Sequence, residues 1–372
     1  MTTRQLSEFG NFKCFESRCS FSSLTTLSAL AACAAALAVT PTARAQSCVG
    51  DLNGDRIVNG SDLGILLGQW EQVGTGDLDG NGVVDGADLG IMLGAWGRCA
   101  VTVPSWATLV EAMPDPAVVT DSTLRAAIIA SGLPWRVRDT ATQMEMLVVP
   151  AGTFTMGCTA SNQYGCYSNE NPTHWVILMQ AFYMGRYEVT QGQWVAKMGS
   201  NPSAFQGYSD SASRPVERVS WDTIQGYLSV TGMRLPSEAE WEFACRAGTT
   251  TAFHSMPGYP NGTNDHNQVG TIAWYSSNSG SQTHAVGGKA ANALGLHDMS
   301  GNVSEWVNDW YDGSYYSVSP SANPLGPVSG SSRVLRGGAW AGMSSVRSSY
   351  RNGYAPGLST VSDLGFRVAR NP

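Results

Sequence analysis

Two twelve-residue segments, repeated 26 positions apart, constrain this chain more tightly than any other feature. They read Asp51-Leu-Asn-Gly-Asp-Arg-Ile-Val-Asn-Gly-Ser-Asp62 and Asp77-Leu-Asp-Gly-Asn-Gly-Val-Val-Asp-Gly-Ala-Asp88. Oxygen-bearing side chains fall at positions 1, 3, 5, 9 and 12 of both copies: Asp51, Asn53, Asp55, Asn59 and Asp62, then Asp77, Asp79, Asn81, Asp85 and Asp88. A hard cation such as calcium takes six to eight oxygens, and this spacing curls them around one point. Position 7, Ile57 or Val83, is placed to add a backbone carbonyl. Gly82 sits where the second loop must turn sharply, whereas Arg56 holds that place in the first and predicts a more strained turn.

Each loop runs into a short helical pattern. Leu63, Leu66, Leu67 and Trp70 recur at i, i+3, i+4 and i+7, and Leu89, Met92, Leu93 and Trp96 repeat them. Two such helices make a core too small to stand unaided, so two calcium ions and a Cys48–Cys99 clasp are expected to support it. A duplicated loop-plus-following-helix resembles the type I dockerin, a small all-α EF-hand-like module, over residues 48–99. That resemblance implies a cohesin-type partner. The positions on which such recognition depends are Gly60-Ser61 and Gly86-Ala87, which offer little to grip, and a calcium-stabilised spacer is the alternative.

The first 45 residues read as a signal peptide. Lys13 and Arg18 precede an apolar run, Leu24 to Val39, which ends in Ala43-Arg44-Ala45. Leu30-Ala31-Ala32-Cys33 offers a rival, lipoprotein-type cut. Removing residues 1–45 takes away two net positive charges and changes the formal charge from −7 to −9. No basic stripe exists, so a nucleic-acid partner is not expected, and no later stretch is apolar enough to span a bilayer. A secreted, periplasmic or cell-surface location follows. In that setting paired cysteines oxidise, so Cys48–Cys99 and Cys158–Cys166 are the expected disulfides and Cys245 the leftover, a buried and unreactive thiol.

Residues 100–143 read as a linker and lead-in, with one helix near Ser122–Ala130. From residue 144 the texture changes to short strands, helices opened by the capping patterns Thr190-Gln-Gly-Gln193 and Ser237-Glu-Ala-Glu240, and then a long Gly-, Asn- and Ser-rich stretch dotted with tryptophan. Seven segments here occur in a recognisable order: Pro150-Ala-Gly-Thr-Phe-Thr-Met-Gly157, Tyr187-Glu-Val-Thr190, Arg214-Pro-Val, Arg234-Leu-Pro-Ser-Glu-Ala-Glu-Trp-Glu242, Gly301-Asn-Val-Ser-Glu-Trp306, Arg336-Gly-Gly-Ala-Trp340 and Gly365-Phe-Arg-Val368. They resemble the formylglycine-generating enzyme, or sulfatase-modifying factor, family over residues 144–372. The resemblance implies an α+β fold of low regularity related to C-type lectins, and a structural calcium loop of Asp298, Gly301, Val303 and Glu305, two carboxylates and two carbonyls.

The family's oxidase activity converts a substrate cysteine to formylglycine with copper held by two cysteines, because soft Cu(I) demands thiolates. In active members those thiols lie two and seven residues past the aromatic of the Gly-Gly-Ser/Ala-aromatic motif. Counted from Trp340 these places hold Gly342 and Arg347, and no cysteine follows Cys245. Copper is therefore not expected. Where several members pair Cys245 with a late cysteine, this chain has Val368. His174, His254, His266, His284 and His297 show no ligand spacing and read as surface or hydrogen-bonding histidines. Trp340, Arg347, Tyr350 and Arg351 occupy the stretch of the old active-site wall. They are either a surface for a peptide or glycan, or a core tryptophan with its arginine braces. The leading expectation is a secreted, catalytically inactive binding or accessory protein. Sulfatase-modifying activity and a place in polysaccharide-degrading assemblies stand as alternatives.

Overall fold

The computed structural model describes residues 48–159 and 165–372. The signal-peptide stretch lies outside the described residues. Among those described, no helix is long and apolar enough to cross a membrane.

The repeat builds two matching halves. Helix α1 (Gly60–Gly68) starts from Asn59, whose side chain accepts from the Ser61 N–H, and α2 (Gly86–Gly94) starts from Asp85, which accepts from the Ala87 N–H. Position 12 returns the favour: Asp62 and Asp88 accept from the backbone N–H of Asn59 and Asp85. Strand β1 (Ile57–Val58) pairs with β2 (Gly97–Arg98), just past α2. Val84 of the second loop exchanges backbone hydrogen bonds with Glu71 and Gln72, just past α1. Each loop is thus tied to the chain that leaves the other copy's helix. Val58, Leu66, Val84 and Met92 form the buried centre, and the Cys48–Cys99 disulfide closes the ends, with its Cα atoms 5.5 Å apart. The helical stripes do not pack entire. Leu67, Leu93 and Trp96 are about half exposed, because each helix gives only one fully buried apolar side chain, Leu66 or Met92, to a core of four.

The larger body is mixed α and β with little regular secondary structure. Its main sheet uses β3 (Ala107–Glu111), β4 (Arg136–Asp139), β5 (Glu145–Val149), β8 (Phe182–Gly185) and β13 (Ala369–Arg370), in the order β13-β8-β5-β4-β3. Every pairing in it is antiparallel. A second sheet, in the order β11-β10-β9-β12, is formed by β9 (Ser304–Trp310), β10 (Arg333–Arg336), β11 (Arg351–Tyr354) and β12 (Leu364–Gly365). Strands β6 (Gly152–Met156) and β7 (His174–Leu178) make a separate ribbon.

Helix α3 (Ser122–Ala130) lies between β3 and β4 in the chain, and α4 (Gln191–Met198), α5 (Trp221–Thr231) and α6 (Glu238–Arg246) pack into one core. Both anticipated capping boxes form, at Thr190 with Gln193 and at Ser237 with Glu240, and Ser220 caps α5 in the same way. The Cys158–Cys166 disulfide is present and Cys245 is free and buried. The segment 100–143 is more than a tether. It donates β3 and β4 to the main sheet, and Val119, Ile128, Trp135 and Val137 to the core. Strand β4 reads Arg-Val-Arg-Asp, and its charges are neutralised only after folding: Arg136 by Glu111 and Glu145, and Asp139 by Arg370.

Candidate functional site

The region around β10, β11 and the loop between them is organised by buried ion pairs. Arg336 is wholly buried and bonds to Glu242 of α6, with the Ser348, Ser349 and Tyr350 carbonyls accepting from its Nη groups. Glu242 also holds Arg246 at 2.8 Å. Arg351 grips Glu238 through Nε at 2.7 Å and Nη2 at 2.8 Å. Arg367 grips both oxygens of Glu305, and Trp241 Nε1 donates to Glu305 at 2.6 Å. Arg347 binds Glu170 with two parallel bonds of 2.5 and 2.7 Å, which Ser349 supports at 2.6 Å. Forked pairs of this kind fix orientation as well as charge. Although desolvation opposes it, the Arg347 guanidinium holds Glu170 below the usual carboxylate range, and Arg351 with Arg336 does the same for Glu238. Six of these charges, Arg336, Glu242, Glu238, Glu305, Arg367 and Arg246, lie in or beside the ordered motifs. Those motifs therefore encode the internal bracing of irregular chain, whose backbone groups must find partners somewhere.

Over this bracing lies a groove. One part, about 500 Å³, is lined by Tyr167, Asn169, Tyr311, Tyr350, Arg351 and Asn352. The adjoining part, about 190 Å³, shares Tyr350 and Asn352 and adds Gly342, Ser345, Tyr354 and Asp363. Two buried glycines allow close backbone packing in the motifs nearby. Gly338 has φ of 66°, and a Cβ there would stand 2.6 Å from the Ser345 backbone. Gly301 has φ of 83°, and a side chain there would collide with the Trp274 carbonyl.

The anticipated ligand-surface residues divide. Tyr350 faces the groove, and Trp340 is part-buried, with its Nε1 donating to the Ser362 carbonyl and its ring set edge-on to Phe205. Arg347 and Arg351 are not surface residues: both are about 1% exposed and fully engaged. They are braces. Their carboxylate partners are 177 and 113 positions away, so sequence adjacency to aromatics gave a false picture of exposure.

In the loop expected to hold calcium, Asp298 is buried, accepts from the Gly287 N–H at 2.6 Å and is pushed up to about 6 by desolvation. Glu305 is occupied by Arg367. Glu188 is also buried here, accepting from Asn302 Nδ2 and the Val303 N–H, and burial together with the charges of Asp298 and Glu305 raises it well above the usual range. Three carboxylates against one guanidinium leave negative charge that a cation beside Gly301 and Val303 would offset. Sequence reasoning passed over Glu188, whose signal was its place in the Tyr187-Glu-Val-Thr190 motif.

In the small module, carboxylate oxygens of Asp77, Asp79 and Asp88 lie within 4.8 Å of one another. Asp88 is held below the usual carboxylate range chiefly by the Asp85 N–H, with the Asp79 and Leu78 N–H groups adding to it. In the first loop Asp51 accepts from Gly54 and Arg56, Asn53 from Asp55, Asp55 from Ile57, and Asp62 from Leu52. These bonds fix the side-chain oxygens of the loop; those that accept one bond keep a second lone pair, whereas Asp62 Oδ1 accepts from both Leu52 and Asn53. Ile57 and Val83 sit at the same loop position in the two copies. The sulfurs of Cys48 and Cys99 near Asp51 are joined to each other and so are no thiolate ligands.

Copper does not fit the residues present. Gly342 lines the groove without a donor and Arg347 fills the second place with a paired guanidinium. The free thiol among the described residues, Cys245, is buried, and desolvation pushes it up to about 11.

Residues 135–372 match the family of sulfatase-modifying factor enzyme 1-like domains. Serine/threonine-protein kinase pkn1 of Chlamydia caviae is 32% identical over 252 residues, 61% of this chain, but the chain spans only 38% of that protein. Chaperone protein LppX of Paenibacillus barcinonensis is 29% identical over 63% of this chain and 91% of its own length. The formylglycine-generating enzyme of Mus musculus is 29% identical over 60% of this chain and 74% of its own length. Among solved structures, Treponema denticola variable protein 1 is 33% identical and superposes with a TM-score of 0.55 over 63% of this chain and 97% of its own.

Proposed function

The chain belongs to the family of sulfatase-modifying factor enzyme 1-like domains, and on that footing we propose that it is an exported, catalytically inactive member that binds a peptide or glycan in the groove beside Tyr350. One observation carries this reading. The place of the second copper thiolate holds Arg347, locked to Glu170 in the interior. A structural ion pair has replaced a metal ligand, so the oxidation has no site. What persists is a braced, aromatic-walled cleft, the kind of concavity that holds a ligand by a few polar groups. Relatives named as a serine/threonine-protein kinase, a chaperone and a formylglycine-generating enzyme all match this chain, and a shared fold does not by itself carry one chemistry. The chaperone-named relative favours an accessory role.

The two repeat loops are read as calcium sites of a dockerin-like module, with ligands Asp51, Asn53, Asp55, Ile57 and Asp62, then Asp77, Asp79, Asn81, Val83 and Asp88. Asp298, Gly301, Val303 and Glu305 hold a further ion. Bound calcium supplies positive charge that lets close-packed carboxylates coexist. The twin exposed leucines, Leu67 and Leu93, give the module a repeated apolar face suited to a cohesin-type partner. Two disulfides agree with export.

Incubation of the protein with copper, oxygen and a cysteine peptide of sulfatase type tests the central point. No aldehyde mass and no copper retained after dialysis are expected; stoichiometric copper with dioxygen consumption overturns the reading. Glycan and peptide arrays then test the groove, with Tyr350→Ala expected to abolish any signal.

A further inference from the structure

The arginines of the groove region are satisfied from within: Arg336 by Glu242, Arg347 by Glu170 and Arg351 by Glu238. Two carboxylates are not. Glu217 is wholly buried; its Oε1 accepts from the Phe205 N–H at 2.9 Å, while its Oε2 has no partner. Asp363 lines the smaller part of the groove, and its Oδ1 is likewise buried and unpartnered. Desolvation raises both above the usual carboxylate range, and the charge of Asp363 adds to the rise at Glu217. The Phe205 and Ala204 N–H groups and then Arg218, the next residue in the chain, draw Glu217 down, but Arg218 forms no ion pair within 4.0 Å among the described residues.

The space beside Asp363 is about 190 Å³, below the roughly 300 Å³ at which drug-sized pockets begin. Tyr350 and Tyr354 form walls, Asn352 adds an amide, and Ala339, Ala341 and Gly342 make a low, uncharged floor. Small floor, aromatic walls and a carboxylate without a counter-ion together describe a socket for one cationic side chain.

We propose that the cleft bounded by Tyr350, Tyr354 and Asp363, with Glu217 near enough to Asp363 to feel its charge, is a subsite for an ammonium or guanidinium group on a peptide ligand. The proposal rests on the reading of the groove as a binding site and adds the charge of what it binds. An unpaired buried carboxylate is costly, and a ligand cation relieves that cost while forming a charge-assisted hydrogen bond. The tyrosine faces add cation–π attraction. A neutral peptide of the same shape gains neither.

The test uses the full chain and two acetylated, amidated tripeptides, Gly-Arg-Gly and Gly-citrulline-Gly, titrated by calorimetry at low and high salt. Citrulline keeps the shape of arginine without its charge. At least a tenfold preference for the arginine peptide is expected, weakening with salt. Asp363→Asn should erase the preference and Glu217→Gln should reduce it severalfold, with folding checked by tryptophan fluorescence. The comparison in the unmodified protein stands even where a variant does not fold. Equal affinity for the two peptides, or a preference untouched in Asp363→Asn, overturns the cationic subsite but leaves the groove reading intact. Binding of neither tripeptide, with an array ligand still bound by the unmodified protein and lost in Tyr350→Ala, also overturns it. Loss of every ligand class at the groove sinks both readings together.

Discussion

Arg347 and Glu170 are joined across 177 positions of sequence in a pair with no solvent contact. A pair like this contributes little net stability against an apolar replacement, but breaking one side strands the other charge. Arg347→Met is therefore expected to lower the unfolding free energy by about 3–5 kcal/mol, read from urea denaturation. Arg347→Met with Glu170→Leu should recover most of that loss. If Arg347 instead served a ligand, the double variant would fail to bind while the single one stayed stable.

His254 gives a second prediction at this scale. It is wholly buried, its Nδ1 lies 2.8 Å from the Ser255 carbonyl, and desolvation lowers it to about 4. The unfolded chain takes up a proton near pH 6.5 that the folded one refuses until about pH 4, so stability falls as pH falls between those values. The loss through this group is about 3 kcal/mol at most, and His254→Asn should flatten the pH dependence in that window. In the sequence His254 was one of five histidines with no pattern. Nothing local announces burial, because burial is made by segments distant in the chain.

Strand β9 shows why some elements were legible and others were not. The helices announced themselves through caps, which are local: a serine or threonine and its partner three residues on. Ser-Glu-Trp-Val-Asn-Asp-Trp carries no such signal, and its carboxylates argue against a buried strand. Yet Glu305 and Asp309 are both interior, one closed by Arg367 and the other accepting from the first N–H of α6 at 2.8 Å. The strand's polarity is cancelled by elements far away in sequence.

The repeat loops are the opposite case, since the spacing that defines them is contained within twelve residues. They support a third prediction: Asp88→Ala should remove the calcium bound by the second loop and leave that of the first, as counted by calorimetry against the unmodified protein. Asp298→Ala should remove the ion of the larger domain alone. Retention of full stoichiometry in Asp88→Ala would refute the loop assignment.

At the scale of the whole molecule, the linker that the sequence suggested turns out to close a sheet. The family match begins at residue 135, inside what read as a lead-in, and even that start omits β3. Arg136–Asp139 carries three charges in four residues, and Ala107–Glu111 is a short edge strand without clean alternation, so both read as linker. The chain's last residues come back to the same place. Trp106 donates to the Asn371 carbonyl at 3.0 Å, Arg370 stacks over Trp106 at 4.5 Å and pairs with Asp139, and β13 forms the far edge of the sheet that β3 begins. Asp139 is wholly buried, so removing its segment would leave Arg370 without that partner and open the apolar face of β5, whose Met146, Leu147, Val148 and Val149 are all interior. A chain beginning at residue 144 is accordingly expected to aggregate or to melt well below one beginning at residue 100. The latter keeps both edge strands and should match the full protein in thermal midpoint for this domain. Equal midpoints for the two truncations would mean that β3 and β4 lie on the body without supporting it, and that the tether reading of residues 100–143 had been sufficient.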